Sequence, residues 1–488
     1  MSTEASAPNT KNDVPAGQLS RSSLVSLSLA SFIPAVGMSL LPVLMLSLAG
    51  PTAWVSALVS AVLVICIGRS VIDFARRYVA VGSLYSYVGE VFGPWARYVT
   101  AAALLAGFAA QVAAIGACVG IFGESFLAAM GIDAGGGPLM AAMVPAASIT
   151  IAAVIAYRGV DTSIRIAVTL AVLSVPLMVV ISVVSAAHTG LNLDLQFAPQ
   201  QFSISGTLQG VAAGAAWLIG FESCTAMAAE TREPKRSVPI AVMSVPIILG
   251  GLYVICTVLQ TPGLLQASAE LEEGMSAPAA LAVRSGLGTA VATSTDLVLA
   301  VACFAALIGF INYGARCILA IGEDGLLPAW TTKVHKEFRS PHLAVITISV
   351  AGFLCIGGLL IVTTGIADAY AMVANLIVYC WIPPYVLISI GSVVLLHRTS
   401  EVTATALLAA AIGTVGMTWT YLNGWLNPAP PPSDAMRWIT VLVIGALAAL
   451  VFLASRRSVL LESKVPGGGL NSAHMPSSTR LTGSASGC

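Results

Sequence analysis

The chain has 488 residues, of which 57% are hydrophobic and only 9% charged, with 22 Lys and Arg balanced by 22 Asp and Glu. Soluble domains carry about 25% charged residues, so this composition excludes an ordinary soluble protein and points to one embedded in a membrane. The balanced charge gives no sign of a nucleic-acid partner.

The first twenty residues are polar and hold Glu4, Lys11 and Asp13. A secretory leader would begin basic and end in a small-residue cleavage site, so residues 1–21 read as a cytoplasmic tail. Apolar runs long enough to cross a bilayer follow at 22–48, 52–72, 95–122, 138–157, 164–187, 207–229, 238–260, 292–320, 342–363, 368–395, 403–425 and 436–455. The fold class is therefore an all-α membrane protein with about twelve transmembrane helices filling residues 22–457. Residues 458–488, rich in Gly and Ser from Leu461 on, read as a disordered cytoplasmic tail.

Lys and Arg orient the spans. The even-numbered loops carry Arg69, Arg76, Arg77 and Arg97, then Arg158 and Arg165, then Arg232, Lys235 and Arg236, then Lys333, Lys336 and Arg339, and last Arg398. Odd-numbered loops carry almost none, with Arg284 and Arg437 as exceptions. Even loops and both termini are expected in the cytoplasm, in a plasma-membrane protein that crosses many times.

The nine cysteines are scattered, most in apolar runs, and none forms a C-x-x-C pair. They read as buried thiols, not as a disulfide framework or a metal site. There is no H-E-x-x-H, no Walker-type phosphate loop and no G-x-S-x-G. No enzyme chemistry, cofactor or metal is expected.

The stretch Gly220-Phe221-Glu222 interrupts span six. A carboxylate at bilayer depth is costly and marks a polar path or binding site, and the adjoining glycine lets the helix unwind. Span one is interrupted at Pro34-Ala35-Val36-Gly37, five spans earlier and in the opposite direction. Two interrupted helices in corresponding positions of inverted halves point to a secondary transporter's binding site. The halves would be residues 22–187 and 207–395, with extra helices at 403–455.

Three motifs carry a family resemblance. GFESCTAMAAETREPKRSVPIAV, from Gly220 to Val242, resembles the sixth-span signature of the amino acid–polyamine–organocation (APC) superfamily, a G-F-[DE] followed by E-x-x-x-P-x-R-x-[IV]-P. DFARRYVAVGSLYSY, from Asp73 to Tyr87, resembles that family's acidic-L-A-x-x-x-P-x-A-G-[GS]-x-Y-x-Y, with Val79 where proline is usual. RCILAIGEDGLLP, from Arg316 to Pro328, resembles its R-x-x-x-x-M-A-x-D-G-x-x-P. The resemblance spans roughly residues 20–400 and implies a five-plus-five inverted-repeat (LeuT-like) fold, with helices 1 and 6 broken and substrate midway between spans 1, 3, 6, 8 and 10.

Carried over residue by residue, the family's G-S-G carboxylate anchor becomes Ala35-Val36-Gly37, which lacks the serine hydroxyl. Backbone amides of Val36 and Gly37 remain as anion donors. Carbonyls of Ile33, Ala216 and Ile219 would face an ammonium group. Gln111, Trp217, Gly220, Glu222 and Phe310 complete the expected site, with Trp217 read as either packing or gate. Ser174 stands where some proton-coupled relatives carry lysine, and Leu297 to Leu319 holds no Ser or Thr for a sodium site. Glu222 is then the candidate coupling group. Asp73, Arg76 and Arg77 are expected at an inner gate, Asp296 as an interfacial charge, and Gly116 and Gly120 in helix packing. The implied activity is alternating-access transport of an amino acid, proton-linked or by exchange. A polyamine or other organic amine is the alternative substrate, and a non-transporting nutrient receptor is less favoured.

Overall fold

In the computed structural model the described residues are 17, 19–79, 82–131, 137–272, 275–363, 365–428 and 431–462, with backbone alone at 137–141, 160–167, 170–172 and 457–462. Most of both expected tails, 1–16 and 463–488, lies outside them.

Helix follows helix along the chain. The first half comprises α1 (Arg21–Ser31), α2 (Pro34–Ala49), α3 (Ala53–Ala75), α4 (Leu84–Phe92), α5 (Pro94–Ala129), α6 (Gly137–Tyr157) and α7 (Val160–Thr189). After a single turn, α8 (Leu193–Gln196), come α9 (Ile204–Ala216), a 3-10 segment (Phe221–Glu230), α10 (Pro234–Ser244), a π turn (Val245–Leu249) and α11 (Gly250–Gln266). The short α12 (Ser268–Glu272) and α13 (Ala277–Arg284) lead to α14 (Thr289–Glu323), α15 (His342–Val362), α16 (Ile366–Arg398), α17 (Ala404–Leu426) and α18 (Met436–Glu462). No β-strand forms among the described residues.

Among the described residues, nine helical stretches are long and apolar enough to cross a membrane. One of them, Arg21–Ala75, is 55 residues long and contains the first two predicted spans. Shorter apolar helices, Ala142–Tyr157 and Leu173–Thr189, fall on the fourth and fifth. The helices between the spans, α4, α8, α12 and α13, are too short to cross a bilayer. One boundary also moves: α18 runs to Glu462, into the stretch expected to be disordered. Starts obey local chemistry. Ser20, Ser203, Ser276 and Thr403 cap α1, α9, α13 and α17 by accepting a backbone N–H three residues on. Pro94 and Pro234 open α5 and α10, where a missing N–H costs nothing.

The two longest helices, α5 and α14, pack against each other and form the spine of the bundle, with α16 laid against α5. Small residues permit the close approach. A Cβ on Gly107 of α5 would meet the Trp381 ring of α16 at 2.3 Å, and one on Gly314 of α14 would meet Ile348 at 2.8 Å. Gly116 and Gly120 serve packing as expected, against Pro145, Ile149 and Ile366. The peripheral α18 leaves most of its surface facing outward, as a lipid-contacting helix does.

Spans one and six are each broken, and they run antiparallel. Gly206 of α9 abuts Leu48 and Ala49, Gly210 abuts Ala49, and Gly214 abuts Met45, so rising numbers on one helix meet falling numbers on the other. Beyond the breaks, the Leu19 N–H donates to the Glu230 carbonyl and the Arg232 N–H to the Leu19 carbonyl, both at 2.8 Å. This helical membrane fold with helices 1 and 6 interrupted matches the fold class read from the sequence.

Candidate functional site

The first break lies at Phe32–Ile33, two residues before the position expected. Pro34 to Gly37 are helical, and Pro34 is the first residue of α2. The physical reason is that proline at a helix's first position sacrifices no hydrogen bond, whereas inside one it clashes with the preceding turn. Ile33 takes the distortion with φ 43° and ψ 71°, a left-handed conformation that is costly for a β-branched residue. Strain of this kind persists only where surrounding packing enforces it, and Ile33 is buried.

This geometry corrects the expected anion anchor. The Val36 and Gly37 amides donate to the Ile33 carbonyl at 3.0 and 3.2 Å, so neither donor is free, and the Ile33 carbonyl is already engaged twice. Pro34 has no N–H. Only the Ala35 amide is left without an acceptor among the described residues. Gly37 faces away from the centre: a Cβ there would fall 2.3 Å from the Tyr253 ring of α11.

The second break runs from Trp217 to Gly220, where Gly220 adopts φ 88°. Its N–H donates to the Tyr385 hydroxyl of α16 at 2.7 Å instead of to the Ala216 carbonyl four residues back. The Ile219 amide goes to Ala215 and the Ser223 amide to Gly220. Among the described residues the carbonyls of Ala216 and Ile219 are thereby left without a backbone donor.

Glu222 completes the break. Its carboxylate accepts from Trp381 Nε1 at 2.9 Å and from Tyr385 Oη at 2.5 Å. No basic group pairs with it among the described residues, and its surface is fully buried. Tyr385 therefore bridges: it receives the Gly220 amide and donates to Glu222, binding the unwound turn to span ten. The Trp381 ring is held edge-on by Phe108 at 5.3 Å between centroids.

A cavity of about 570 Å³ adjoins the two breaks. Of the expected site residues, Ile33, Gln111, Ala216, Trp217 and Phe310 line it; Ala35, Val36, Gly37, Ile219, Gly220 and Glu222 do not. Gly220 lies just behind, since a Cβ there would sit 3.5 Å from the Phe310 ring. Phe32 and Phe310 meet edge-on at 5.4 Å, and Trp217 faces Tyr370 at 6.3 Å. The carbonyl oxygen of Gln111 is buried without a partner. The sequence reading missed Tyr370 and Asn375 of α16, Gln209 of α9, and Asn423 and Asn427 at the end of α17. Their signal was available as hydrogen-bonding side chains inside apolar runs. From the breaks the cavity extends toward Leu48, Gln209 and Asn427, the ends remote from the basic loops.

The opposite end is closed by the residues of the three motifs. Arg316 forms a two-pronged ion pair with Glu230, at 2.6 and 3.2 Å, and also donates to the Asn312 side chain at 3.1 Å. Arg97 pairs with Asp324, which also accepts from Tyr85 Oη at 2.6 Å. Thr225 meets Ser83 at 3.0 Å, linking the second break to the turn before α4. Asp73 pairs with Arg69, and Arg77 with Glu401. Asp296, expected as an interfacial charge, is buried within the protein and accepts from Ser125 at 2.6 Å and Ser276 at 2.5 Å.

A helical bundle with two opposed, broken spans beside a cavity sealed at one end is the build of a membrane transporter. Comparison with known proteins names the kind. The chain belongs to the amino acid permease family, whose model matches residues 19–448. It is similar to a branched-chain amino acid permease of Lactococcus lactis, 26% identical over 328 residues that cover 62% of this chain and 69% of the relative. It is also similar to a methylthioribose transporter of Bacillus subtilis, 21% identical over 429 residues, covering 85% and 88%. A cationic amino acid transporter of Arabidopsis thaliana is 24% identical over 363 residues, covering 68% and 60%.

Proposed function

We propose that this permease moves a neutral amino acid across the plasma membrane by alternating access, with both termini cytoplasmic and its cavity open to the outside. The observation that carries this reading is the cavity's placement. It adjoins both helix breaks, runs away from the basic loops and stops above an ion-paired floor.

The chemistry is consistent with such a guest. The free Ala216 carbonyl and the unpaired Gln111 oxygen are suited to an ammonium group. The Ala35 amide, at the start of α2, is the backbone donor left unengaged at the first break, just behind the Phe32–Ile33 wall, and would meet a carboxylate only if that wall yields. Phe32, Trp217, Phe310 and Tyr370 supply an apolar, aromatic wall for a side chain. No Asp or Glu lines the cavity, which disfavours a polyamine, whose charges need carboxylates. A second reading, a neutral solute without a carboxylate, is supported by the engaged Val36 and Gly37 amides and by the similarity to a methylthioribose transporter.

Uptake into proteoliposomes of labelled leucine, valine, methylthioribose and putrescine tests the assignment. Saturable uptake of leucine or valine supports the amino acid reading whatever side chain the protein prefers; methylthioribose uptake alone supports the second reading, and putrescine alone overturns both. Glu222 serves as the proton-linked group in this scheme, because it is a buried carboxylate without a cation and touches the moving turn. The variant Glu222→Gln is expected to transport with a flattened pH profile. A profile that still follows the wild type removes Glu222 from coupling.

A further inference from the structure

The cavity does not end at the broken helices. Past Trp217 and Tyr370 it continues into a lobe walled by α16 and α17, where Asn375, Tyr379, Thr420, Asn423 and Asn427 line it. α17 lies outside both inverted repeats, so this wall is an addition to the core that holds the breaks.

The lobe's polar groups are neutral and partly unused. Asn427 Nδ2 donates to Asn423 Oδ1 at 2.9 Å. No hydrogen bond to protein engages the Asn423 amide hydrogens or the Asn427 side-chain oxygen among the described residues, so a donor on buried Asn423 and an acceptor on exposed Asn427, at the helix end, stand side by side. Thr420 donates to its own helix at the Gly416 carbonyl, 2.9 Å away, which leaves its oxygen able to accept. Gly424 makes the space: a Cβ there would lie 2.0 Å from Tyr379 Oη, so any larger residue would push the tyrosine out of the wall. Among the described residues, no Asp, Glu, Lys or Arg lines the lobe. The whole cavity, at about 570 Å³, is in the range of sites for drug-sized ligands and exceeds what one small amino acid fills.

We infer that the α16–α17 lobe is a subsite for an uncharged hydrogen-bonding group, a hydroxyl or a carboxamide, carried at the far end of a substrate whose head lies at the two breaks. The inference rests on the cavity being the substrate path and adds what the other end of the substrate must be. An adjacent donor and acceptor match a carboxamide or hydroxyl, which both gives and takes a hydrogen bond. A methyl end leaves both groups unpaired, and a charged end finds no counter-ion.

L-glutamine and L-norleucine test this, because they share backbone and length and differ in a terminal carboxamide against a methyl. Equilibrium binding to the purified full chain is expected to favour glutamine. In Asn423→Ala/Asn427→Ala, glutamine should weaken about tenfold, the effect of one or two net hydrogen bonds, with norleucine held within twofold. Asn427→Ala alone, at the helix end, should fall between. Binding of one glutamine per protein supports the far-end assignment, whereas two per protein mean a separate solute in the lobe and overturn it. Equal weakening of both ligands, or of neither, also overturns it. If neither ligand binds the wild type, the amino acid reading fails instead, and the lobe is tested by magnetisation transfer from the protein to acetamide. That signal must vanish in the double variant; its persistence, or its absence from the wild type, ends the proposal.

Discussion

Removing one oxygen atom from Tyr385 should loosen the second break more than any other single-atom change. In Tyr385→Phe the Gly220 N–H loses its acceptor and the Glu222 carboxylate loses one of its two donors. A buried donor left unpaired costs about 1–3 kcal/mol, and a hydrogen bond to a charged group contributes about 1.5–3 kcal/mol. The sum, roughly 2.5–6 kcal/mol, is a large share of a typical folding free energy. Trp381→Phe removes one hydrogen bond to the same carboxylate, about 1.5–3 kcal/mol, and also part of a buried ring packed against Gly107 and Phe108, so its loss adds a cavity cost to the hydrogen bond. Thermal unfolding of the purified protein reads both losses, with uptake as the second measurement. Because Tyr385 and Glu222 share one network, Glu222→Gln combined with Tyr385→Phe should fall short of additivity by about 0.5–3 kcal/mol. If Tyr385→Phe unfolds no earlier than the wild type and transports normally, the bridge has no such role and the account of the break is wrong.

Other changes probe other parts. Gly220→Ala has room for its methyl, at 3.5 Å from its neighbours, yet places a Cβ on a residue at φ 88°; a loss of about 1 kcal/mol and slower uptake are expected from backbone conformation alone. Gly37→Ala presents the opposite case, an ordinary helical backbone with a methyl 2.3 Å from the Tyr253 ring; its loss of thermal stability should be relieved by adding Tyr253→Val, and a failure of that rescue refutes the packing explanation. Arg316→Met leaves Glu230 buried without its cation and should cost about 3–5 kcal/mol. The same change should open the basic end, so that an impermeant thiol reagent added from the side of the basic loops labels Cys224 faster than in the wild type; unchanged labelling contradicts a gating role for the pair.

Hydropathy, charge asymmetry and the placement of Pro and Gly are properties of the linear chain, and they revealed the spans, the basic loops and the two interruptions. These signals are local: a helix must be apolar where lipid surrounds it, and it must break where proline and glycine leave it weak. Even so, the first break moved to Phe32–Ile33, because Pro34 is more comfortable opening a helix than lying in a gap. The partners of Glu222 were not legible in that way. Tyr385 is 163 residues away, although a Trp and a Tyr four positions apart on span ten each need a partner when buried, which is the trace they left. The amides of Val36 and Gly37 looked available by position and proved engaged, since a single left-handed residue swings the Ile33 carbonyl onto both. The lobe against α17 was hidden for a related reason. Which polar side chains of separate helices face one space depends on how the helices are rotated about their axes, and small residues such as Gly107, Gly314 and Gly424 set that rotation by the neighbours they admit. The amino-acid order alone therefore determined that the chain is a set of apolar helices fit for a membrane and, within a few residues, where two of them weaken. Packing between distant helices decided which backbone groups stay free, which carboxylate is held, and how far the cavity reaches.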